Sequence, residues 1–113
     1  MSKSKLKFLE HILESISLIS DYLKGVSEKE FWSNKQLQDS VLRRIEIVGE
    51  ASKNLPSDIK DLFPEVPWKR ISGLRDVIVH HYWGIDLRMT WNIINVELPL
   101  LKEQLQDFKE KSV

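Results

Sequence analysis

The sequence predicts an all-α protein, a compact antiparallel bundle of four main helices plus a short helix, formed as a single domain over residues 1–113. Apolar residues recur at alternating spacings of three and four over long stretches, which is the period of a helix face. No stretch shows the convincing alternation that a strand requires. At 113 residues the chain has room for one modest core and is too short for two.

The first helix is predicted near the N-terminus, where one face is apolar and the other carries Lys, Glu and Ser. Gly25 is expected to end it. The tetrapeptide Ser27–Glu30, "SEKE", has the spacing of a capping box, so the following loop is expected to hold a short helical turn. The apolar face consists of Leu9, Ile12, Ile16, Ile19 and Leu23.

The second long helix is predicted from about Asn34 to Leu55, where Pro56 stops it. A second face of this helix is charged throughout and alternates in sign. The simplest interpretation is a solvated face with ion pairs at i,i+3 and i,i+4, worth about 0.3 to 0.5 kcal/mol each. The apolar face consists of Leu37, Val41, Ile45, Val48 and Ala51, and the charged face of Asp39, Arg43, Glu46, Glu50 and Lys53.

Two further helices complete the predicted bundle. One begins near Trp68, after a short turn and an extended proline-rich connection, and runs to about Tyr82. The last begins after Gly84 with Asp86 as its N-cap, and Pro99 within it is expected to kink or break it near Glu97. Its apolar face consists of Leu87, Trp91, Ile94, Leu98, Leu101, Leu105 and Phe108.

Composition excludes several classes of protein. Seventeen basic and seventeen acidic residues give no formal net charge, which argues against a broad phosphate-binding surface. There is no cysteine, so disulfides and thiolate metal sites are excluded. No apolar run approaches the roughly 18 residues of a membrane span, and no secretion signal is recognised. We therefore expect a cytoplasmic protein with no membrane partner.

The most unusual segment is "GLRDVIVHHYWGID", residues 73–86, which places two of the three histidines side by side after Arg75. Arg75 and Tyr82 share a helix face, whereas His80 is rotated by roughly 140° from Arg75 on an ideal helix. A site that uses both is therefore either shared between chains or formed where the helix unwinds before Gly84. A purely structural role is the alternative, since a histidine near a helix C-terminus complements the dipole and a tyrosine suits a rim position.

If the cluster is chemical, its residue types favour phosphodiester cleavage without a metal or cofactor. Adjacent histidines point in different directions on a helix, and no further ligand stands at a favourable spacing for a metal site. The Gly-x-Ser-x-Gly elbow and the glycine-rich phosphate loop are both absent. A histidine, with an ordinary pKa of about 6.5, can move a proton, and an arginine can stabilise charge on phosphate oxygens.

The segment "RDVIVHHY", Arg75 to Tyr82, has an arginine, four residues, a histidine, one residue and a tyrosine. In this it resembles the HepT-like toxins of the HEPN superfamily. The segments "LQDSVLRRIEIVGEASKNLP", "FPEVPWKRISGLRDVIVHHYWGIDLRMTW" and "VELPLLKEQL" also resemble that family in order and spacing. The resemblance extends from about Leu9 to Leu105.

The resemblance implies a HEPN-like bundle that forms a homodimer with the two motifs facing each other. It implies a metal-independent endoribonuclease toxin that cleaves RNA through the 2′-hydroxyl, with Arg75 and His80 as the catalytic residues. It also implies a minimal nucleotidyltransferase as antitoxin, which transfers AMP to Tyr82. The alternative is a non-catalytic HEPN module whose cleft binds a nucleotide or the nucleotidyltransferase.

Four residues are expected to have accessory roles in the cleft. Asp76 stands where many relatives have asparagine, and its carboxylate either orients the Arg75 guanidinium or partly neutralises it. His81 is secondary, because only His80 has the family's spacing from the arginine. Arg43 and Glu50 lie in the helix most similar to the family and are expected to border the cleft.

Overall fold

The computed structural model describes residues 3–80 and 87–111, with side-chain surroundings for residues 6–77 and 88–106. The described residues are helical with connecting turns, which confirms the predicted all-α class. The short helices α2 and α4 lie at the two predicted short turns, so the described chain has one more short helix than the predicted bundle. The elements are α1 Lys3–Tyr22, α2 Glu28–Ser33, α3 Lys35–Asn54, α4 Ser57–Lys60, α5 Trp68–Ser72, α6 Leu74–His80, α7 Leu87–Asn92, a π-helical turn Ile93–Glu97 and α8 Leu98–Lys111.

The core lies where α3 packs against α1, α5 and α6, with α8 also packed on α1. Most residues of the predicted apolar faces are buried, while Leu23, Leu37 and Trp91 pack half-buried at the edge. Burial of these side chains is the main stabilising contribution, at about 25 cal/mol per Å² of apolar surface. Over the described part of the chain, no helix has the length and apolar character needed to cross a bilayer.

The beginning of α3 is defined by two polar side chains. The Asn34 side-chain oxygen accepts a hydrogen bond from the backbone N–H of Leu37 at 3.0 Å, so Asn34 is the N-cap. The buried Gln38 amide donates to the carbonyls of Phe31 at 2.8 Å and Trp32 at 3.0 Å. The Gln38 bonds join α2 to the first turns of α3, and the Asn34 bond sets the residue at which α3 begins.

The predicted third helix is divided at Gly73 into α5 and α6. The Gly73 N–H donates to the carbonyl of Lys69 at 3.1 Å and ends α5, and the Gly73 carbonyl accepts from the N–H of Val77 at 3.1 Å and begins α6. The Trp68 indole N–H is 3.2 Å from the carbonyls of both Lys60 and Phe63, which ties the start of α5 to the preceding loop. The predicted end of this helix near Tyr82 lies outside the described residues.

Pro99 changes the last helix at the predicted place, but it does not break it. Residues 93–97 form a π-helical turn in which the N–H of Leu98 donates to the carbonyl of Ile93, five residues earlier. Proline has no N–H and its ring collides with the carbonyl four residues before it in a regular helix. The wider turn relieves this conflict, so the chain stays helical on both sides of the proline. The predicted N-cap, Asp86, lies outside the described residues.

A bidentate ion pair connects α5 to the π-helical turn. Arg70 Nε and Nη2 donate to the two carboxylate oxygens of Glu97 at 3.0 and 3.2 Å. The hydrogen bond to Glu97 raises the pKa of Arg70 above its usual range. Because the two charges fix each other in a planar fork, the start of the α5–α6 segment is held against the C-terminal helices.

Candidate active site

Arg75 lies in the first turn of α6 and is held from another helix. Its Nη1 donates to Oε1 of Glu50, on α3, at 2.6 Å. Both side chains are half-exposed, at 51% for Arg75 and 44% for Glu50. Glu50 was predicted to border the cleft, and the structure brings it into direct contact with the predicted catalytic arginine.

Gly49 makes this contact possible, because it lets α3 and α6 approach closely. It is buried, and a Cβ built on it would lie 3.1 Å from the backbone nitrogen of Arg75 and 3.4 Å from the carbonyl oxygen of Ile71. A Cβ at 3.1 Å from a backbone nitrogen is closer than an ordinary van der Waals contact, so the α6 backbone would have to move by a few tenths of an ångström to admit it. Helix periodicity alone does not mark Gly49 as a contact residue. The available signal was an isolated glycine inside a strongly periodic helix, which commonly has a packing reason.

The Glu50–Arg75 pair contributes little to stability. Pairs of such exposure are screened by solvent and are typically worth less than about 1 kcal/mol. The pair matters more for the direction of the Arg75 guanidinium. An arginine side chain has many rotamers, and a bond to its planar head group favours the rotamers that keep that bond. The guanidinium has several N–H donors, so a bond through Nη1 is compatible with a second anion, such as a phosphate, on the same head group.

Gly49→Ala is expected to destabilise the protein, even though alanine is the better helix former. Helix propensity alone would stabilise α3 by up to about 1 kcal/mol. The added Cβ, however, would meet the backbone of Arg75, and overpacking of this kind costs about 1 to 3 kcal/mol. Urea denaturation should show a net loss of stability. A Gly49→Ala protein more stable than wild type would show that α3 and α6 can separate without cost.

The charged face of α3 divides into two parts. Arg43 Nη1 lies 3.5 Å from Oε2 of Glu46, one turn away on the same helix, and the Arg43 side chain is 68% exposed. This pair fits the interpretation of a solvated face. Arg43, predicted as an accessory cleft residue, therefore pairs within α3 rather than with α6, whereas Glu50 pairs across to the motif helix.

Asp76 is exposed in the first turn of α6. In the described part of the chain Asp76 makes no ion pair with Arg75, and the carboxylate that contacts the guanidinium is that of Glu50. A carboxylate in the first turn of a helix is favoured by the N–H groups there. Interaction with these N–H groups is therefore a structural reason for a carboxylate at position 76.

His80 is the last residue of α6, which is α-helical from Leu74 onward. Its side chain lies outside the described residues, as do His81 and Tyr82 altogether. On an ideal helix, position 80 is rotated by roughly 140° from position 75. Among the described side chains, no group of three or more acidic or histidine residues could hold a metal ion.

Comparison with known proteins places this arrangement in a family. The family model described as "Ribonuclease HepT-like" matches residues 12–108. The chain is 37% identical over 110 residues to "Probable ribonuclease HepT" of Thermococcus cleftensis, covering 97% of this chain and 100% of that protein. It is also 43% identical over 111 residues to "Gamma-glutamylcyclotransferase and putative RNase" of Methanocaldococcus jannaschii, covering 98% of this chain.

The chain spans 50% of the length of the Methanocaldococcus protein. No solved structure matches the chain with significant similarity. The family match over most of the chain, together with the full-length Thermococcus relative, shows that the chain belongs to the HepT-like family of ribonucleases, the family and enzyme class predicted from the sequence.

Proposed function

We propose that this protein is a metal-independent endoribonuclease that acts as the toxin of a toxin–antitoxin pair. The observation that carries the proposal is the pair Arg75 and His80, at the family's spacing on one helix, in a chain that matches the HepT-like ribonuclease model. The contact of Arg75 with Glu50 adds support, because it holds the guanidinium at the protein surface, where an RNA phosphate can reach it.

The proposed reaction uses the RNA's own 2′-hydroxyl as nucleophile. His80 accepts the hydroxyl proton while the 2′ oxygen forms a bond to phosphorus, and the bond from phosphorus to the 5′ oxygen breaks. Arg75 stabilises the charge that develops on the phosphorus oxygens. The proton held by the imidazole is returned to the leaving 5′ oxygen, directly or through water. The products are a 2′,3′-cyclic phosphate and a 5′-hydroxyl.

The site is proposed to form between two copies of the chain, with Arg75 from one and His80 from the other. The rotation of roughly 140° between positions 75 and 80 of an ideal helix supports this. The alternative, a site formed by unwinding before Gly84, falls on residues outside those described. A two-fold axis near α6 would bring an arginine of one copy towards the histidine of the other, as closed dimers commonly do.

Mixed dimers test the shared site. A dimer of one Arg75→Ala and one His80→Ala chain keeps one complete pair across the interface, so we expect about half of wild-type cleavage. A dimer of wild type with the doubly substituted chain keeps no complete pair across the interface and should be inactive. The reverse pattern would place each site within one chain, and a monomer at micromolar concentration would remove the shared site altogether.

A non-catalytic HEPN module that binds a nucleotide or a nucleotidyltransferase is the second candidate. Neutral net charge and the partial neutralisation of Arg75 by Glu50 favour it. Expression without any antitoxin separates the two functions. The nuclease proposal predicts growth arrest that His80→Ala abolishes, whereas a binding module would leave growth unaffected or would act equally with alanine at this position.

A further inference from the structure

Two consecutive residues of α3, Gly49 and Glu50, approach the same residue of α6. A Cβ on Gly49 would stand 3.1 Å from the Arg75 nitrogen and 3.5 Å from the Arg75 Cβ. The next residue, Glu50, bonds the far end of the same arginine at 2.6 Å. One helix therefore contacts Arg75 both at its backbone and at its guanidinium.

The close approach at Gly49 sets the position of the Arg75 backbone and Cβ relative to α3. Because no side chain separates the helices at Gly49, the α3 backbone rests against the first turn of α6. The Arg75 Cα thus has a defined distance from α3. The Arg70–Glu97 pair restrains α5, the helix just before α6, by joining it to the π-helical turn.

The Glu50 contact sets the position of the Arg75 guanidinium. A half-exposed arginine otherwise samples many rotamers in water, and the half-exposed Glu50 carboxylate, carried on a helix that packs in the core, gives the guanidinium a preferred partner. A group that stabilises a transition state must be held close to its productive position, because a displacement of about 1 Å can cost roughly 100-fold in rate.

We infer that Gly49 and Glu50 are positioning residues for Arg75: Gly49 sets the separation of the helices, and Glu50 directs the guanidinium toward the scissile phosphate. The inference rests on the proposed function, in which Arg75 stabilises charge on the phosphate. Neither residue touches the substrate in this account. Both act through Arg75.

The inference predicts a separation of kcat from KM. Without Glu50, Arg75 keeps its charge and still attracts RNA, so KM should stay the same or fall. The guanidinium is no longer directed, so kcat should fall by up to about 5-fold for Glu50→Ala, the change expected from losing an ion pair of this exposure. Glu50→Gln keeps an acceptor oxygen at the same reach and should lose less. Gly49→Ala should also lower kcat, although Glu50 is intact, because it displaces the base of the arginine.

The experiment compares these variants with wild type, Arg75→Ala and a matched control. Glu46→Gln is the control, because Glu46 lies one turn earlier on α3 and also pairs with an arginine, but not with Arg75. The substrate is an RNA oligonucleotide that spans an end mapped after brief expression of wild type. Rates are divided by the folded fraction, measured by thermal denaturation on the same samples.

Lower kcat with unchanged or lower KM in Glu50→Ala, a smaller loss in Glu50→Gln and wild-type rates in Glu46→Gln would support the inference. Wild-type kcat in Glu50→Ala, or a loss accounted for by unfolding, would overturn it. If Arg75→Ala is inactive in that case, the proposed function still stands. If wild type itself yields no cleaved ends, the proposed function fails, and the inference fails with it.

Discussion

His80→Ala and Arg75→Ala should each abolish RNA cleavage while leaving the helical fold intact. Loss of a general base typically costs about 10²- to 10⁴-fold, and loss of a donor to a charged transition state costs about 10²- to 10³-fold. Each variant should therefore fall below roughly 1% of wild-type kcat/KM. Arg75 is half-exposed, so its truncation removes little core packing. Cleavage of a defined RNA, with circular dichroism on the same samples, measures both properties.

The chain supplies its own matched control for the histidine. His11 is exposed on α1, where its ring meets Phe8 edge-on at 6.3 Å between centroids, and it has no place in the proposed reaction. His11→Ala should cleave as wild type does, and His81→Ala should lose less than His80→Ala. If His81→Ala is the inactive variant, the assignment moves by one residue. If all three variants cleave, histidine is not the proton-transfer group.

Transfer of AMP to Tyr82 should switch the enzyme off without changing its fold. The tyrosine oxygen would attack the α-phosphate of ATP and release pyrophosphate, leaving a phosphodiester-linked nucleoside on the side chain. Tyr82 stands seven residues after Arg75, on the same face of an ideal helix. The added phosphate would lie against the guanidinium and occupy the place of an RNA phosphate. Cleavage should fall to the level of Arg75→Ala.

Tyr82→Phe tests this switch, with Tyr22→Phe as control, because these are the two tyrosines of the chain. Tyr82→Phe should keep most RNase activity and gain no mass after incubation with a minimal nucleotidyltransferase and ATP. Wild type and Tyr22→Phe should gain AMP units and lose activity. If Tyr82→Phe gains the same mass, or if modified wild type remains active, Tyr82 is not the switch.

The spacing of apolar residues predicted the helices well, because each long helix buries one face and that face repeats every three or four residues along the sequence. Val41, Ile45 and Val48 are buried as their spacing indicated. Pro99 marked the irregular turn correctly, but its lack of an N–H alone does not decide between a break and a π-helical turn.

The contacts of Arg75 could not be read from local pattern. Glu50 lies 25 residues before Arg75, and its place on a charged face was equally compatible with a solvated helix. On an isolated helix the basic residues nearest to Glu50 on the charged face would be Arg43 and Lys53. Because α3 packs closely on α6 at Glu50's neighbour Gly49, Glu50 pairs with Arg75. Tertiary contacts of this kind depend on how helices meet, and helix periodicity does not encode that.

Proposed cleavage of RNA without a metal is tested by the chemistry of the RNA ends that the purified protein produces. Purified protein, free of antitoxin and of AMP, is incubated with RNA in excess EDTA, and the new ends are identified. We predict cleavage that leaves 2′,3′-cyclic phosphates and 5′-hydroxyls, and that is lost in Arg75→Ala and His80→Ala. No cleavage, cleavage only when a divalent metal is added, or 5′-phosphate ends would contradict the account.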